Sequence, residues 1–227
     1  MTNLTLDIET LPADWTDEQK AAHAAASVPG NYSKPDTIAK WIAENADDCH
    51  RRTSFDWRYC RILCIGYAID NEAPGCIYSP TADPMPLLDG LADVFRSIRA
   101  RNHGGEVRII GYNVARFDLP RLRLLAAKLR HPALSDLPGE RYARNVADTM
   151  LMAGGTDPTM NPKLSDLAAY LGLDGKGEGL DGSKVYDAWL AGEHERIARY
   201  CAQDVALTRD VFRVLSGAGA LVMPEAA

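Results

Sequence analysis

Short apolar runs alternate with amphipathic stretches along the chain, and their spacing predicts strands and helices. Leu4–Ile8 alternates apolar with polar residues and is followed by Pro12, which predicts a first strand that ends at the proline. Further β-rich runs predict strands at Arg61–Ile69, Gly75–Ser79, Val107–Tyr112 and Tyr142–Asp148. The second and third of these five segments are close enough along the chain to pair as a hairpin.

Apolar residues at three- and four-residue spacing predict the helices. They mark Pro86–Arg99, Leu164–Leu171 and Glu193–Leu215, and a further helix begins near Asp118 with Pro120 in its first turn, where proline is tolerated. The last helix has one core-facing stripe, made of Ile197, Cys201, Val205, Thr208, Phe212 and Leu215. Strands mixed with helices in this way predict an α/β fold with a mixed sheet flanked by helices.

Residues 13–57 interrupt this pattern between the first two strands. They are polar, with helix-forming patches at Asp17–Ala26 and Pro35–Ala46, and we expect a helical insertion packed on the domain. A chain of 227 residues fits one α/β domain, so we expect a single domain over 1–216 and a loose tail over 217–227. The glycine-rich segment 172–182 favours a surface connection over a lid that closes on the strand end.

The charge balance argues against a surface that coats nucleic acid uniformly. The formal net charge is −6, with 46% apolar and 25% charged residues, values typical of a globular protein with a buried core. Basic residues cluster around one acid, Asp118, and form either a phosphate-facing patch or an ordinary solvated helix face. They are Arg116, Arg121, Arg123, Lys128 and Arg130.

The cysteines and the N-terminus indicate a reducing location. The chain has five cysteines without a C-x-x-C pair, and we expect all of them to be reduced thiols. Zinc binding by Cys60, Cys64 and the Cys49-His50 pair is disfavoured because the spacing matches no standard site. With neither a signal-peptide pattern nor a membrane-spanning stretch, the expected location is the cytoplasm.

Acidic residues supply the candidate chemistry. Asp7 and Glu9 lie two apart on the first strand, so they share a face and can share a metal ion. Asp118 lies where a strand passes into a helix, and Tyr200 and Asp204 share one face of the last helix. Each feature alone has an ordinary structural explanation, but the three together predict a catalytic site.

These residues resemble the three motifs of the DEDD (DnaQ-like) 3′-5′ exonucleases, which are Asp7-Ile8-Glu9-Thr10, Asn113-x-x-x-Phe117-Asp118 and Tyr200-x-x-x-Asp204. Because the third motif contains a tyrosine, the chain resembles the DEDDy branch, which includes the proofreading domains of family A and B DNA polymerases. In the histidine branch the corresponding residue lies five before the last aspartate, and here that position is Arg199. Segments between the motifs resemble stand-alone, polymerase-B-type exonucleases, namely Asn31–Ile42, Asp56–Gly66 and Lys176–Tyr186.

The resemblance implies an RNase H-like fold and a two-ion site. Asp7 would bridge two Mg²⁺ or Mn²⁺ ions, with Glu9 and Asp204 completing one site and Asp118 holding the other. Charge repulsion agrees with this, because four converging carboxylates need cations to stay ionised together. Oxygen ligands suit these hard ions. Tyr200, whose ordinary pKa is about 10, would orient the attacking water and not act as a base.

The resemblance implies stepwise removal of nucleotides from a 3′ end. The expected substrate is single-stranded DNA. Thr10, Asn113 and Phe117 would contact the terminal nucleotide. An RNA 3′-5′ exonuclease remains open because the motifs do not report on the 2′-hydroxyl. A non-catalytic nucleic-acid-binding scaffold is a weaker alternative, since all four carboxylates are present. For Asp148 we favour a structural role over a role in supporting the catalytic carboxylates. The sequence identifies no replication or repair partner.

Overall fold

A mixed five-stranded sheet runs through the computed structural model, which describes residues 1–139, 143–155, 157, 160–173 and 180–217. The strand order is β3-β2-β1-β4-β5. The strands are β1 (Thr2–Leu11), β2 (Arg61–Ile69), β3 (Gly75–Tyr78), β4 (Val107–Gly111) and β5 (Val146–Asp148). The predicted fold class, a mixed α/β sheet flanked by helices, is confirmed.

Strand direction decides where the chain can place functional groups. β1 pairs antiparallel with β2, which pairs antiparallel with β3 and so confirms the predicted hairpin. β1 also runs parallel to β4, and β4 runs parallel to β5. The carboxyl ends of β1, β4 and β5 therefore meet at one edge of the sheet, where crevices form in open α/β sheets.

The helices agree with the periodicity in most places. They are α1 (Asp17–Ala25), α2 (Pro35–Arg52), α3 (Pro84–Arg101), α4 (Asp118–Lys128), α5 (Thr149–Gly154), α6 (Leu164–Tyr170), α7 (Val185–Leu190) and α8 (His194–Leu215). The short helices α5 and α7 were not predicted, since six residues are too few for a clear apolar period. α2 extends beyond the predicted end at Ala46, because buried His50 hydrogen-bonds the Ala13 carbonyl at 2.7 Å and packs the last turns on the domain.

Alternation along β1 sends its side chains to two different layers. Leu4, Leu6 and Ile8 pack in the core beneath α3 and α4. The opposite face carries Asp7 and Glu9 toward α8, which packs on β1 and β2. Residues Ile197, Cys201, Val205, Thr208 and Phe212 of the predicted stripe of α8 are buried. One strand thus connects the apolar core to the polar edge of the sheet.

The segment 13–57 folds back onto the end of β1. α1 packs on α2, and a 3-10 turn at Thr53–Phe55 follows. The Thr53 hydroxyl accepts from the Ala13 amide at 2.9 Å, and the Thr10 hydroxyl donates to the Ser54 carbonyl at 2.9 Å. The insertion therefore returns to the strand that it leaves, beside the carboxyl edge of the sheet.

Several sequence expectations fall on residues outside the described ranges. Tyr142, Lys176 and Glu178 lie there, as do residues 218–227 of the expected tail. The boundaries 1–216 and 217–227 remain predictions. Within the described residues, every helix is too short or too polar to cross a membrane.

Candidate active site

Three carboxylates from two elements converge beside α8. Asp7 and Glu9 come from β1 and Asp204 from α8, and one oxygen of each lies within 4.8 Å of the others. Glu9 and Asp204 are only 8% and 6% exposed. Buried carboxylates at this separation repel one another, so the arrangement favours a cation between them. The structure thus brings these three residues together, as the sequence predicts.

Asp118 joins the site from the other side of β1. It begins α4, is 3% exposed, and its Oδ1 accepts a hydrogen bond from the Ile8 amide at 3.0 Å. Its side chain is thereby held at the strand residue between Asp7 and Glu9. Burial raises the pKa of Asp118 to about 7, with the Ile8 amide acting in the opposite direction. A carboxylate in this state is stabilised in its charged form by a nearby cation.

Tyr200 lies one helical turn from Asp204 and is hydrogen-bonded to it. Its ring is 6% exposed. Burial raises the pKa of Tyr200 far above its ordinary value, and the charges of Glu9 and Asp204 raise it further. The phenol therefore stays protonated at neutral pH, so it can hold a water molecule by hydrogen bonding but cannot accept a proton as a base.

A pocket of about 320 Å³ opens at this edge of the sheet. The predicted residues Asp7, Glu9, Thr10, Asn113, Phe117 and Asp118 all line it. Asn113 adopts φ 57°, a left-handed conformation that asparagine tolerates. Its buried side-chain oxygen has no hydrogen-bond partner among the described residues, so it remains able to accept one.

Asp148 supports the loop that carries Asn113. Its carboxylate accepts the Asn113 and Ala115 amides at 3.0 Å each, and it caps α5 through the Met150 amide at 3.1 Å. Carboxylates that accept several backbone amides are strongly held in one orientation. These contacts agree with the structural interpretation of this acid, which fixes the turn between β4 and α4.

The basic segment 116–130 divides into two groups. Arg121 is buried and donates to the Phe117 and Phe55 carbonyls, while Arg123 donates to the Leu137 carbonyl. These arginines tie loops together. Arg116, Lys128 and Arg130 are exposed. The segment is therefore partly structural and only partly available to phosphate.

Sequence reasoning missed the contribution of the insertion to the pocket. Ser54 and Phe55 line it, as do Met150 and Ser183. The ring of Phe55 meets that of Phe117 edge to face, at 6.3 Å between centroids. Nothing in the spacing links residue 55 to residue 117, because this contact depends on how the insertion folds back. The one available signal was the aromatic content of Phe55-Asp56-Trp57.

The donor set fits the divalent ions that the resemblance implies. Every ligand in the group of Asp7, Glu9 and Asp204 is a carboxylate oxygen, and the group is close enough for one ion to reach all three. Hard oxygen ligands of this kind suit Mg²⁺ and Mn²⁺. The fold and this group of carboxylates agree with the RNase H-like nuclease class that the sequence resemblance implies.

Comparison with known proteins identifies the family. The model of a family described as "Predicted 3'-5' exonuclease related to the exonuclease domain of PolB" matches residues 92–220, more than half of the chain. The chain belongs to this exonuclease family and is a hydrolase that acts on nucleic acid. The matched region contains Asn113, Asp118, Tyr200 and Asp204, whereas Asp7 and Glu9 precede it. No curated protein matches the sequence.

The fold is similar to that of a solved polymerase. The family B DNA polymerase from the hyperthermophilic archaeon Pyrobaculum calidifontis matches with a TM-score of 0.61 and 17% sequence identity, over 94% of this chain. This chain spans only 24% of the polymerase. The likeness therefore concerns the fold of one part of that enzyme and carries no statement about its other parts.

Proposed function

We propose that this protein removes nucleotides one at a time from the 3′ end of single-stranded DNA. The observation that carries the proposal is the convergence of Asp7, Glu9 and Asp204 within 4.8 Å of one another, at an open pocket that Asp7, Glu9 and Asp118 line. Family membership supports hydrolysis from the 3′ end. The structural likeness to a DNA polymerase supports DNA as the substrate.

The four carboxylates would hold two divalent ions, Mg²⁺ or Mn²⁺. Such ions lower the pKa of an attacking water and stabilise the oxygen that leaves the phosphate. The chain's own residues do the positioning. The hydrogen bond from the Ile8 amide holds the Asp118 carboxylate beside β1, and Asp148 fixes the turn that carries Asn113.

Tyr200 completes the arrangement by donating its hydroxyl proton to Asp204, which leaves the hydroxyl oxygen to accept a hydrogen bond from water. Its hydroxyl is held by Asp204 and stays protonated, so it would orient the water that attacks the phosphate. Phe117 and Asn113 line the pocket and would contact the terminal nucleotide. The Thr10 hydroxyl proton is already donated to the Ser54 carbonyl, so Thr10 would serve as an acceptor or as a wall of the pocket.

A time course on 5′-end-labelled substrates tests this function. Single-stranded DNA, duplex DNA and RNA are each incubated with Mg²⁺, Mn²⁺ or chelator. We expect a ladder that shortens from the 3′ end of the single strand and disappears with chelator. Faster shortening of RNA would replace the DNA assignment. Intact substrate in every lane with folded protein would favour a non-catalytic scaffold.

A further inference from the structure

The insertion displays two aromatic rings beside the carboxylate pocket. Phe55 and Trp57 are 64% and 60% exposed, although aromatic side chains of this size usually gain most from burial. Their backbone is fixed on both sides. Thr53 is buried, and the Arg121 guanidinium donates to the Phe55 carbonyl. The two rings are therefore held outward by an ordered turn.

Trp57 lines a second cavity of about 480 Å³, which we name the strand groove. Among the described residues, its lining contains four cations and no carboxylate, although the whole chain carries a net charge of −6. The cations are Arg58, Arg61, Arg121 and Lys128. Tyr59 and Leu124 add apolar wall. A groove that combines positive charge with aromatic surface matches a chain of phosphates and bases.

The cations of the strand groove are not equally available. Arg58 is paired with Asp56, and Arg61 donates to the Pro12 carbonyl. Lys128 is exposed and forms no ion pair within the described ranges. Lys128 is therefore the cation that a phosphate could engage without first breaking a protein contact.

Arg121 joins the strand groove to the carboxylate pocket. It lines the groove, while its guanidinium donates to the carbonyls of Phe55 and Phe117 and lies 3.6 Å from the centre of the Phe117 ring. Phe55 and Phe117 both line the carboxylate pocket. The turn that carries Phe55 and Trp57 therefore borders both cavities, with Phe55 in the carboxylate pocket and Trp57 in the strand groove.

We propose that the strand groove binds the nucleotides that precede the 3′-terminal one, with Phe55 and Trp57 stacking on bases and Lys128 facing phosphate. This inference rests on the proposed function. Exposed rings stack only on bases that are free of a complementary strand, so the groove selects single-stranded nucleic acid. It also gives the insertion 13–57 a role, because that segment carries both rings.

The test measures binding separately from hydrolysis. A fluorescein-labelled oligothymidylate of about ten nucleotides is titrated with the full chain in chelator, and anisotropy gives Kd. Trp57→Ala is expected to raise Kd roughly 10- to 100-fold. Tyr170→Ala is the matched control, because Tyr170 is 88% exposed but lies on α6, outside the groove. Equal Kd for Trp57→Ala and the control would overturn the proposal.

A small substrate distinguishes failure of the groove from failure of the proposed function. The p-nitrophenyl ester of thymidine 5′-monophosphate, with Mn²⁺, occupies only the terminal position. Trp57→Ala and Lys128→Ala should lower kcat/KM for the oligonucleotide much more than for the ester. Equal losses on both substrates would refute the groove. Wild type that binds the oligonucleotide through Trp57 but hydrolyses neither substrate would refute the nuclease and leave the groove intact.

A second site is carried by an independent observation, the convergence of three thiols. Cys64 of β2, Cys76 of β3 and Cys201 of α8 each place Sγ within 4.8 Å of the other two. We name these residues the thiol cluster. Gly66 makes it possible: a Cβ there would lie 2.7 Å from the Cys201 Sγ, so only glycine lets α8 come this close to the sheet. Cys76 lies opposite Gly66 on β3.

We infer that the thiol cluster is a binding site for a thiophilic divalent ion such as Zn²⁺ or Cd²⁺. Zinc–sulfur bonds of about 2.3 Å place three sulfurs about 4 Å apart, which the cluster can meet with small shifts. Cys64 and Cys201 are buried, and the partly exposed Cys76 provides access. The Cys201 Sγ lies 3.8 Å from Asp7 Oδ2, so an ion here would also affect the first catalytic carboxylate.

Cadmium titration of the reduced full chain tests the thiol cluster. We expect one equivalent of Cd²⁺ to produce a thiolate-to-metal charge-transfer band. Cys76→Ser should weaken binding roughly 100-fold, whereas the control Cys49→Ser, on α2, should not. Cys76→Ala provides a second variant if the serine disturbs β3. A wild-type chain without the band, or variants that bind as tightly as wild type, would overturn the site.

Discussion

Two groups of three ligand atoms lie side by side between the sheet and α8, and they differ in chemistry. The carboxylates of Asp7, Glu9 and Asp204 offer hard oxygen, while the thiol cluster offers soft sulfur. The strand register places them in contact, since Asp7 lies opposite Gly66 and Glu9 lies opposite Cys64. Because ligand softness selects the metal, one helix packed on one sheet can present two different ion sites.

The two groups also differ in access. Two of the carboxylates, Asp7 and Glu9, border an open pocket at the carboxyl edge of the sheet, next to Asn113 and Phe117. Two of the thiols are fully buried in a core cluster with Leu63 and Ile197. A substrate can reach the first group, whereas the second admits only an ion. This difference agrees with the two proposals, in which the carboxylates carry turnover and the thiols bind an ion.

Asp7→Asn should have the largest effect and separate the two groups. Removing one charge of the carboxylate site should lower exonuclease turnover by about 10³-fold, because ion stabilisation contributes several kcal/mol. The three thiols are untouched, so the cadmium charge-transfer band should persist. The measurements are hydrolysis of labelled single-stranded DNA and cadmium absorption on the same preparation. Loss of the band with turnover retained would reverse the assignment.

Tyr200→Phe should have the next largest effect. It removes the hydroxyl that is hydrogen-bonded to Asp204 but no carboxylate ligand. We expect turnover to fall roughly 10- to 100-fold, as for a misplaced reactant. Binding of Mn²⁺, measured by calorimetry, should remain close to wild type. A large loss of Mn²⁺ affinity would show that Tyr200 supports the ions and not the water.

Gly66→Ala should disturb both groups together. The added Cβ would lie 2.7 Å from the Cys201 Sγ and 2.8 Å from Val205 Cγ2, so α8 must shift. Overpacking of this kind costs roughly 1–3 kcal/mol, which lowers Tm by about 2–12 °C in a chain of this size. Turnover and Cd²⁺ affinity should both fall.

The matched control for this shift is Gly30→Ala, where a Cβ meets nothing within 4 Å. Its Tm, turnover and Cd²⁺ affinity should equal those of wild type. If Gly66→Ala behaved in the same way, the close approach of α8 would not be what couples the two groups.

Asp118→Asn should produce the smallest effect on stability, a change in its dependence on pH, in addition to the loss of turnover expected when one of the four proposed ion ligands is removed. Burial raises the pKa of Asp118 to about 7, above its ordinary value of 3.8. The folded state therefore holds the proton more tightly than the unfolded state, and this contribution to stability is lost as pH rises through 7. In chelator, Tm of wild type should fall between pH 5 and pH 8 more than Tm of the variant.

Adding Mn²⁺ provides the control for this pH series. A cation beside Asp118 favours the charged form, so Mn²⁺ should flatten the wild-type curve toward that of Asp118→Asn. Parallel curves for the two proteins in chelator would show that burial does not raise the pKa of Asp118.

The sequence by itself determined the layers and most of the acidic site. Alternation in β1 required Asp7 and Glu9 to share a face, and helical spacing required Tyr200 and Asp204 to share another. The two-residue and 3.6-residue periods are local properties of the backbone, so they can be predicted without coordinates. The same reasoning found the mixed sheet, the β2–β3 hairpin and the stripe on α8.

Only the tertiary structure decided which distant residues meet. Phe55 reaches Phe117 because the insertion folds back onto β1, and Cys64, Cys76 and Cys201 converge because Gly66 lets α8 approach the sheet. The disfavoured zinc alternative grouped Cys64 with residues near it in sequence, whereas the thiols near Cys64 in space come from β3 and α8. Such contacts depend on packing between elements, which periodicity within a single element cannot specify.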